Sequence, residues 1–131
     1  MANRKIGIIG YGVIGQQIEH FVLEQEVRGE VEFFYFDDIS HAKGKNNAYP
    51  FRNFEDSKFK DFDFYIGLGY HHKGLRNEIY QQLKKNQFSS PSIIHETSYI
   101  HPTAEIANGV IIYPLCNIGI SVKIADGVLI N

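Results

Sequence analysis

Three glycines near the start of the chain, Gly10, Gly12 and Gly15, follow the spacing G-x-G-x-x-G. This spacing suits contact with a phosphate or a ribose. The first glycine permits a tight turn, the second lets a ligand approach the backbone, and the third lets a following helix pack close to a strand. The free N–H groups at the start of that helix attract anions. The alternative is that the glycines serve only a tight turn, and a strand before and a helix after them would favour the binding role.

Two acidic residues, Asp37 and Asp38, follow the second apolar segment of the chain. In a dinucleotide enzyme, a carboxylate at this place accepts hydrogen bonds from ribose hydroxyls. The pair is therefore a candidate for binding a ribose or a base N–H. A charged turn that ends a strand is an equal alternative.

A second glycine-containing loop, GLGYHHK, links the third apolar segment to an amphipathic one. It follows a predicted strand, and open α/β sheets bind ligands at the carboxyl ends of their strands. Gly69, Lys73 and Arg76 suit a loop that faces a phosphate. Solvated polar residues at a helix start are the alternative.

The remaining candidates for chemistry are histidines and the single cysteine. The adjacent His71 and His72 point in different directions and make a poor metal pair, so no metal is expected. His95 and His101 have no acid nearby at a spacing that suggests a dyad, and packing at a domain junction is their predicted role. Cys116 falls in a repeat column that faces inward, so it is predicted to be a core residue rather than a nucleophile.

Apolar and amphipathic segments alternate through the first two thirds of the chain, which predicts strands and helices in turn. The predicted strands cover 4–9, 31–36, 61–68 and 92–95, and the predicted helices cover 13–26 and 73–85. This order implies a short parallel sheet with helices across its faces. We expect a domain boundary near residue 95, with a Rossmann-like α/β domain over 1–95.

Isoleucine recurs every six residues through the last third of the chain. A second column of small or β-branched residues stands four residues after each isoleucine that begins a complete repeat. The first column is Ile100, Ile106, Ile112, Ile118, Ile124 and Ile130, and the second is Ala104, Val110, Cys116, Val122 and Val128. No helix has a period of six, and a flat strand alternates every two residues. The period predicts short strands separated by turns over 96–131, stacked as the first coils of a parallel β-helix with both columns inside.

Composition narrows the class of protein. The chain of 131 residues is 44% hydrophobic and 21% charged, with a formal net charge of -2. This is ordinary globular composition, and the lack of a basic surplus argues against a nucleic-acid partner. A single cysteine excludes an intrachain disulfide, and no apolar run is long enough for a signal peptide or a membrane span. We expect a cytoplasmic protein that does not bind membranes.

The combination of these motifs resembles one family of hexapeptide-repeat enzymes, the sialic-acid O-acetyltransferases and nucleotide-amino-sugar N-acetyltransferases. The resemblance covers essentially the whole chain and is most specific in the hexapeptide segment 98–131. It implies an acetyl-CoA-dependent acyltransferase that acetylates an amino or hydroxyl group of a nucleotide-linked, UDP-type sugar in cell-surface glycan biosynthesis. It also implies a left-handed β-helix, a homotrimer, and acetyl-CoA bound between neighbouring β-helices. The implied nucleotide contacts are Gly10, Gly12, Gly15, Asp37, Asp38 and Gly69.

The same resemblance places the general-base histidine about one hexapeptide beyond Asn131, so no catalytic residue is assigned within the chain. Residues 96–131 supply roughly two coils, whereas stacked repeats need about three to be stable. We therefore expect a truncated, inactive front part of the enzyme. One alternative is an NAD-dependent oxidoreductase fragment, although residues 1–95 leave no room for a second mononucleotide half. The other is a non-enzymatic nucleotide-sugar-binding module.

Overall fold

A computed structural model of the chain describes residues 3–25 and 30–131 and divides into two compact units, Met1–Ser90 and Pro91–Asn131. The predicted end of the first helix, Glu26, lies outside the described residues. The division falls between Ser90 and Pro91 rather than near residue 95. The reason is that the strand Ile93–Ile94 pairs with a strand of the second unit and not with the sheet of the first.

The first unit, called the α/β unit below, contains a four-stranded parallel sheet in the order β3-β2-β1-β4. The predicted strands at 4–9 and 31–36 and the helix at 73–85 are confirmed, and the third strand is shorter than predicted. A short helix and an edge strand occupy part of 39–60, which shows no periodicity in the sequence. The elements are β1 Arg4–Ile9, α1 Val13–Gln25, β2 Val31–Phe36, α2 Asp38–Ala42, β3 Ala48–Tyr49, β4 Asp63–Ile66 and α3 Lys73–Lys85, with 3-10 helices at Phe51–Glu55, Ser57–Phe59 and Tyr70–His72.

The core of the α/β unit is largely aromatic. Phe36 of β2 and Phe64 of β4 are fully buried, and Ile79 and Leu83 of α3 pack against them. The segment between β3 and β4 adds three more buried rings, which are those of Phe54, Phe59 and Phe62. Burial of these rings anchors an otherwise irregular segment to the sheet. The carboxyl ends of the strands are thereby held side by side.

The second unit, called the coil below, consists of two-residue strands that pair in parallel. Partner residues stand eighteen positions apart, as in Ile93 with Ile111 and Tyr99 with Asn117. The strands are β5 Ile93–Ile94, β6 Tyr99–Ile100, β7 Glu105–Ile106, β8 Ile111–Ile112, β9 Asn117–Ile118, β10 Lys123–Ile124 and β11 Leu129–Ile130. They form three narrow sheets, β5-β8-β11, β6-β9 and β7-β10. The prediction of stacked short strands is confirmed.

The isoleucine column forms the interior of the coil, and it starts one repeat earlier than predicted, at Ile94. The second column is inside only in part. Val110 is fully buried and Cys116 is half-buried within the same cluster, but Val122 is 37% exposed. The prediction for Val122 is therefore wrong. Val122 precedes β10 in an outer turn of the coil, where a neighbouring turn lies on one side of it only.

His95 and His101 stabilise turns of the coil. The Nδ1 atom of His95 lies 2.9 Å from Thr97 Oγ1 and accepts a hydrogen bond from the Thr97 backbone N–H. His101 makes the same two contacts with Thr103. Both histidines thus belong to a repeated corner of the coil, which is a more local role than the predicted packing at a domain junction.

Candidate functional site

A pocket of about 310 Å³ lies at the carboxyl ends of β1, β2 and β4 in the α/β unit. Both glycine-containing loops and the residue that follows β2 contribute to its wall. The lining residues are Gly10, Tyr11, Gly12, Val13, Ile14, Asp37, Phe51, Gly67, Leu68, Gly69, His71 and His72. This edge of a parallel sheet is where open α/β folds bind ligands.

The first and third glycines of the G-x-G-x-x-G loop are required by backbone packing. Gly10 has a φ of +88°, a left-handed conformation that favours glycine. A Cβ atom on Gly15 would lie 2.3 Å from the Gly10 carbonyl oxygen, and one on Gly67 would lie 2.2 Å from the same atom. The three glycines therefore let β1, α1 and the loop after β4 approach each other closely. The geometry expected for the first and third glycines is present.

Gly12 differs from these glycines because nothing among the residues that the structure describes requires it to lack a side chain. A Cβ atom on Gly12 would meet no atom within 4 Å, and its backbone is not left-handed. The residue is exposed, lines the pocket and directly precedes α1. The open space beside it allows a ligand to reach the backbone N–H groups at the start of α1.

Asp37 connects the first loop to the helix that follows β2. Its Oδ1 atom accepts the backbone N–H of Tyr11 at 3.0 Å, and its Oδ2 atom accepts that of Ser40 at 2.8 Å, which makes it the N-cap of α2. Burial disfavours the charged form, but hydrogen bonds from the backbone of Tyr11 and from the backbone and side chain of Ser40 outweigh it and lower the pKa of the Asp37 carboxyl. The pocket therefore has a fixed, ionised carboxylate in its wall.

Asp38 has a different environment. It is exposed and is not among the residues that line the pocket. Its Oδ1 atom accepts the backbone N–H of Phe51 at 2.9 Å, and Phe51 is itself part of the pocket wall. The two acids are therefore not a side-by-side pair, since Asp37 lines the pocket and Asp38 holds Phe51.

The second loop lines the pocket through Gly67, Leu68 and Gly69. Gly69 packs against α1, because a Cβ atom there would lie 2.4 Å from the Cδ1 atom of Ile14. Arg76 of α3 stabilises the loop from inside the protein, where its Nη1 atom donates to the carbonyl oxygens of Ile66 at 2.7 Å and Leu68 at 3.0 Å.

The basic residues of the second loop do not form the expected phosphate-facing group. Arg76 is 7% exposed and donates to backbone carbonyls, so the prediction that it faces a phosphate is wrong. Lys73 is exposed at the start of α3 and is not among the lining residues, and its contact with a ligand stays a prediction. His71 and His72 do line the pocket.

Two lining residues, Tyr11 and Phe51, were not among the site residues predicted from the sequence, and Phe51 was expected only to pack under the irregular segment. Tyr11 stands between two loop glycines, so its place in the pattern could have identified it. Phe51 reaches the pocket through its contact with Asp38, which lies thirteen residues earlier. No local sequence signal marks that contact.

Within residues 3–25 and 30–131, no group of three or more His, Cys, Asp or Glu side chains is arranged to hold a metal ion. Among the same residues, no helix is long and apolar enough to cross a membrane.

The chain resembles solved acetyltransferase structures along its whole length. The acetyltransferase domain of PglB from Neisseria gonorrhoeae FA1090, in complex with acetyl coenzyme A, has 21% identity and a TM-score of 0.80 over 99% of this chain and 62% of that chain. PerB from Caulobacter crescentus, in complex with CoA and GDP-perosamine, has 16% identity and a TM-score of 0.76 over 100% of this chain and 61% of that chain. A variant of the perosamine N-acetyltransferase from the same organism, with the same ligands, has 14% identity and a TM-score of 0.69 over 100% of this chain and 61% of that chain.

This likeness establishes that the chain has the fold of these acetyltransferase domains. The chain spans about 62% of the length of the PglB domain and 61% of PerB. No family model matches the chain.

Proposed function

We propose that this chain is the acceptor-binding part of an acetyl-CoA-dependent acyltransferase that acetylates an amino or hydroxyl group of a nucleotide-linked sugar. In this proposal the α/β unit is a Rossmann-like nucleotide-sugar-binding domain, and the coil is the start of a left-handed β-helix. The observation that carries the proposal is the open space beside Gly12 at the start of α1, in a fold shared with a protein that binds GDP-perosamine. The product would enter cell-surface glycan biosynthesis.

The residues of the pocket suit the parts of a nucleotide diphosphate. The backbone N–H groups that begin α1 would bind a phosphate, because they have no acceptor earlier in the helix and lie at the positive end of its dipole. The Asp37 carboxylate accepts hydrogen bonds from Tyr11 and Ser40, and the lone pairs that remain would accept hydrogen bonds from a ribose or a base. Phe51 and Leu68 supply apolar surface in the same wall.

The proposed cosubstrate is acetyl-CoA, which would supply the acetyl group as a thioester. All three similar structures described above contain acetyl coenzyme A or CoA. In the proposed assembly, a homotrimer, the cosubstrate would lie between the β-helices of neighbouring subunits. The general base would be a histidine beyond Asn131, because the Nδ1 atoms of His95 and His101 already accept hydrogen bonds within the coil.

Calorimetric titration of the protein with UDP- and GDP-linked amino sugars and with NAD tests the acceptor site. We expect the nucleotide sugars to bind at micromolar-to-millimolar dissociation constants and NAD to bind more weakly. Gly12→Ala should weaken nucleotide-sugar binding at least about fivefold, because the added methyl group occupies the ligand's approach to the backbone. Gly74→Ala is the matched control, since Gly74 also has no atom within 4 Å of a Cβ position and does not line the pocket.

Two outcomes of the titration would contradict the proposal. Tighter binding of NAD than of any nucleotide sugar would favour the alternative hypothesis of an oxidoreductase, with which the G-x-G-x-x-G loop is also compatible. Equal affinities for the Gly12→Ala and Gly74→Ala variants would show that the ligand does not use this pocket.

The release of free thiol from acetyl-CoA in the presence of an amino-sugar acceptor tests the chemical step. We expect none from these 131 residues, and turnover that is lost in His95→Ala or His101→Ala would place the catalytic base in the coil.

A further inference from the structure

Tyr11 is attached to the rest of the α/β unit at both its backbone and its side chain. Its N–H donates to Asp37, and its hydroxyl donates to the Oε2 atom of Glu19. Glu19 lies on α1, is half-buried and does not line the pocket. The side chain between the two loop glycines is therefore tied to the helix that the loop introduces.

The same carboxylate joins the loop to the sheet. The Oε1 atom of Glu19 accepts a hydrogen bond from the hydroxyl of Tyr35 on β2. The rings of Tyr11 and Tyr35 lie 4.5 Å apart at an angle of 60°, which is a favourable edge contact. The ammonium group of Lys45 lies over both rings, 5.1 Å from the centre of the Tyr11 ring and 4.5 Å from that of Tyr35.

Both phenols are hydrogen-bond donors at neutral pH. Burial and the neighbouring Glu19 carboxylate raise the pKa of Tyr11 to about 12. The same two causes raise the pKa of Tyr35. Glu19 therefore receives two O–H groups, one from the loop and one from the sheet.

The loop needs such an attachment because of its composition. Glycine has the largest conformational freedom of any residue, and glycines stand on both sides of Tyr11. Each residue that is ordered loses backbone conformational entropy, so a loop of this kind is costly to hold in one shape. Gly10 has no side chain, so Tyr11 is the first residue after Ile9 whose side chain can fix the loop in one conformation.

We infer that Glu19 is a positioning residue, which fixes the glycine loop through Tyr11 so that Gly12 and the start of α1 face the pocket. The inference rests on the proposed function for the identity of the ligand. It also specifies where the ligand binds. Because the N–H of Tyr11 is used by Asp37, a phosphate would contact the N–H groups from Gly12 onward.

Two matched variants test this inference, because Tyr11→Phe and Tyr35→Phe each remove one hydroxyl from the same carboxylate and keep both rings. We expect similar losses of thermal stability from both. We expect the dissociation constant for a UDP- or GDP-linked amino sugar to rise about tenfold in Tyr11→Phe and less than about twofold in Tyr35→Phe. Glu19→Ala should match Tyr11→Phe in affinity. Equal affinities for the two tyrosine variants would overturn the inference.

Hydrogen exchange of the backbone amides around Gly10 to Ile14 gives a readout that needs no ligand. We expect faster exchange there in Tyr11→Phe and Glu19→Ala than in Tyr35→Phe. If the wild-type protein binds no nucleotide sugar, the proposed function fails while the exchange rates still decide the inference. Faster exchange in Tyr11→Phe than in Tyr35→Phe then supports it, and equal rates overturn it.

Discussion

The α/β unit and the coil use the left-handed backbone region in different ways. In the α/β unit, positive φ occurs at irregular intervals, at Gly10, Gly44, Asn47 and Gln87, and at Gly10 it falls where β1, α1 and the loop after β4 converge. In the coil, positive φ recurs at every sixth residue, at Gly109, Leu115, Ser121 and Gly127, whatever the residue type. Repetition thus imposes a backbone conformation on residues that do not favour it, whereas at Gly10 of the α/β unit one close backbone contact coincides with a glycine.

The two units also differ in how their hydrogen bonds are arranged. Thr97 and Thr103 each accept a backbone N–H eighteen residues later, from Leu115 and Ser121. These contacts repeat along the coil with one geometry. In the α/β unit, each polar contact around the pocket is made once, such as the hydrogen bond that the Tyr11 N–H donates to Asp37. A substitution in the coil should therefore affect stability, whereas one near the pocket can affect stability and binding separately.

The largest expected effect comes from a charge placed inside the coil. Ile118→Asp puts a carboxylate in the isoleucine column, where the side chain is 5% exposed, and should lower the free energy of unfolding of the coil by about 4 kcal/mol or more. Asn117→Asp, at the exposed neighbouring position, should change it by less than about 0.5 kcal/mol. Urea denaturation with site-resolved hydrogen exchange measures both. Equal tolerance at the two positions would contradict a dry interior, and we expect exchange in β1 and β2 to stay slow in both variants.

A methyl group on Gly15 should have the next largest effect. Its Cβ atom would lie 2.3 Å from a backbone oxygen, so the loop must shift, and overpacking of this kind costs about 1–3 kcal/mol. Gly74→Ala adds the same group at an exposed position of α3 and should be neutral or slightly stabilising. The comparison of midpoints in thermal denaturation decides whether the three-glycine contact is as tight as the structure shows. A Gly15→Ala protein as stable as the Gly74→Ala protein would refute it.

Asp37 should make the stability of the α/β unit depend on pH. The folded state lowers the pKa of this carboxyl, so its contribution to stability is present above the unfolded-state pKa of about 3.9 and is lost as the pH falls through the folded-state pKa. Asp37→Asn should lower the free energy of unfolding by about 1 kcal/mol near pH 7. The difference from wild type should shrink below about pH 4. Asp61→Asn, at an exposed position, is the charge-matched control, and an identical pH profile for both variants would argue against the N-cap role.

The smallest effect is expected at a corner of the coil. Leu115 has a φ of 64° and is 84% exposed, so its backbone is strained and its side chain gains little from burial. Asparagine tolerates this conformation better, and Leu115→Asn should raise the stability of the coil by up to about 1 kcal/mol. Ile120→Asn, at a position that is also exposed but not left-handed, should have no measurable effect. A loss of stability in Leu115→Asn would mean that the Leu115 side chain has a packing role.

The sequence alone predicted the elements whose signal is local or periodic. The strand and helix around Gly10 to Gly15 follow from apolar runs and helical spacing, and their positions agree with the structure. The coil follows from one residue type repeated at a fixed spacing, since each isoleucine meets the same interior as the one before it. The sequence also predicted the place of the pocket. The two glycine loops follow neighbouring parallel strands, and the carboxyl ends of such strands lie at the same edge of the sheet.

Only the tertiary structure decided which polar side chains face the pocket. Asp38 holds Phe51 instead of lining the pocket beside Asp37, and Arg76 donates to backbone carbonyls inside the protein. Glu19 joins the glycine loop to β2 through two hydroxyls, although nothing in its neighbourhood along the chain marks it. Each of these roles depends on a contact between residues that stand 8 to 16 positions apart in the chain. Each also depends on the face of a helix or loop that the side chain occupies after packing. Residue type and spacing do not contain that information, because the same short pattern is compatible with several packed arrangements.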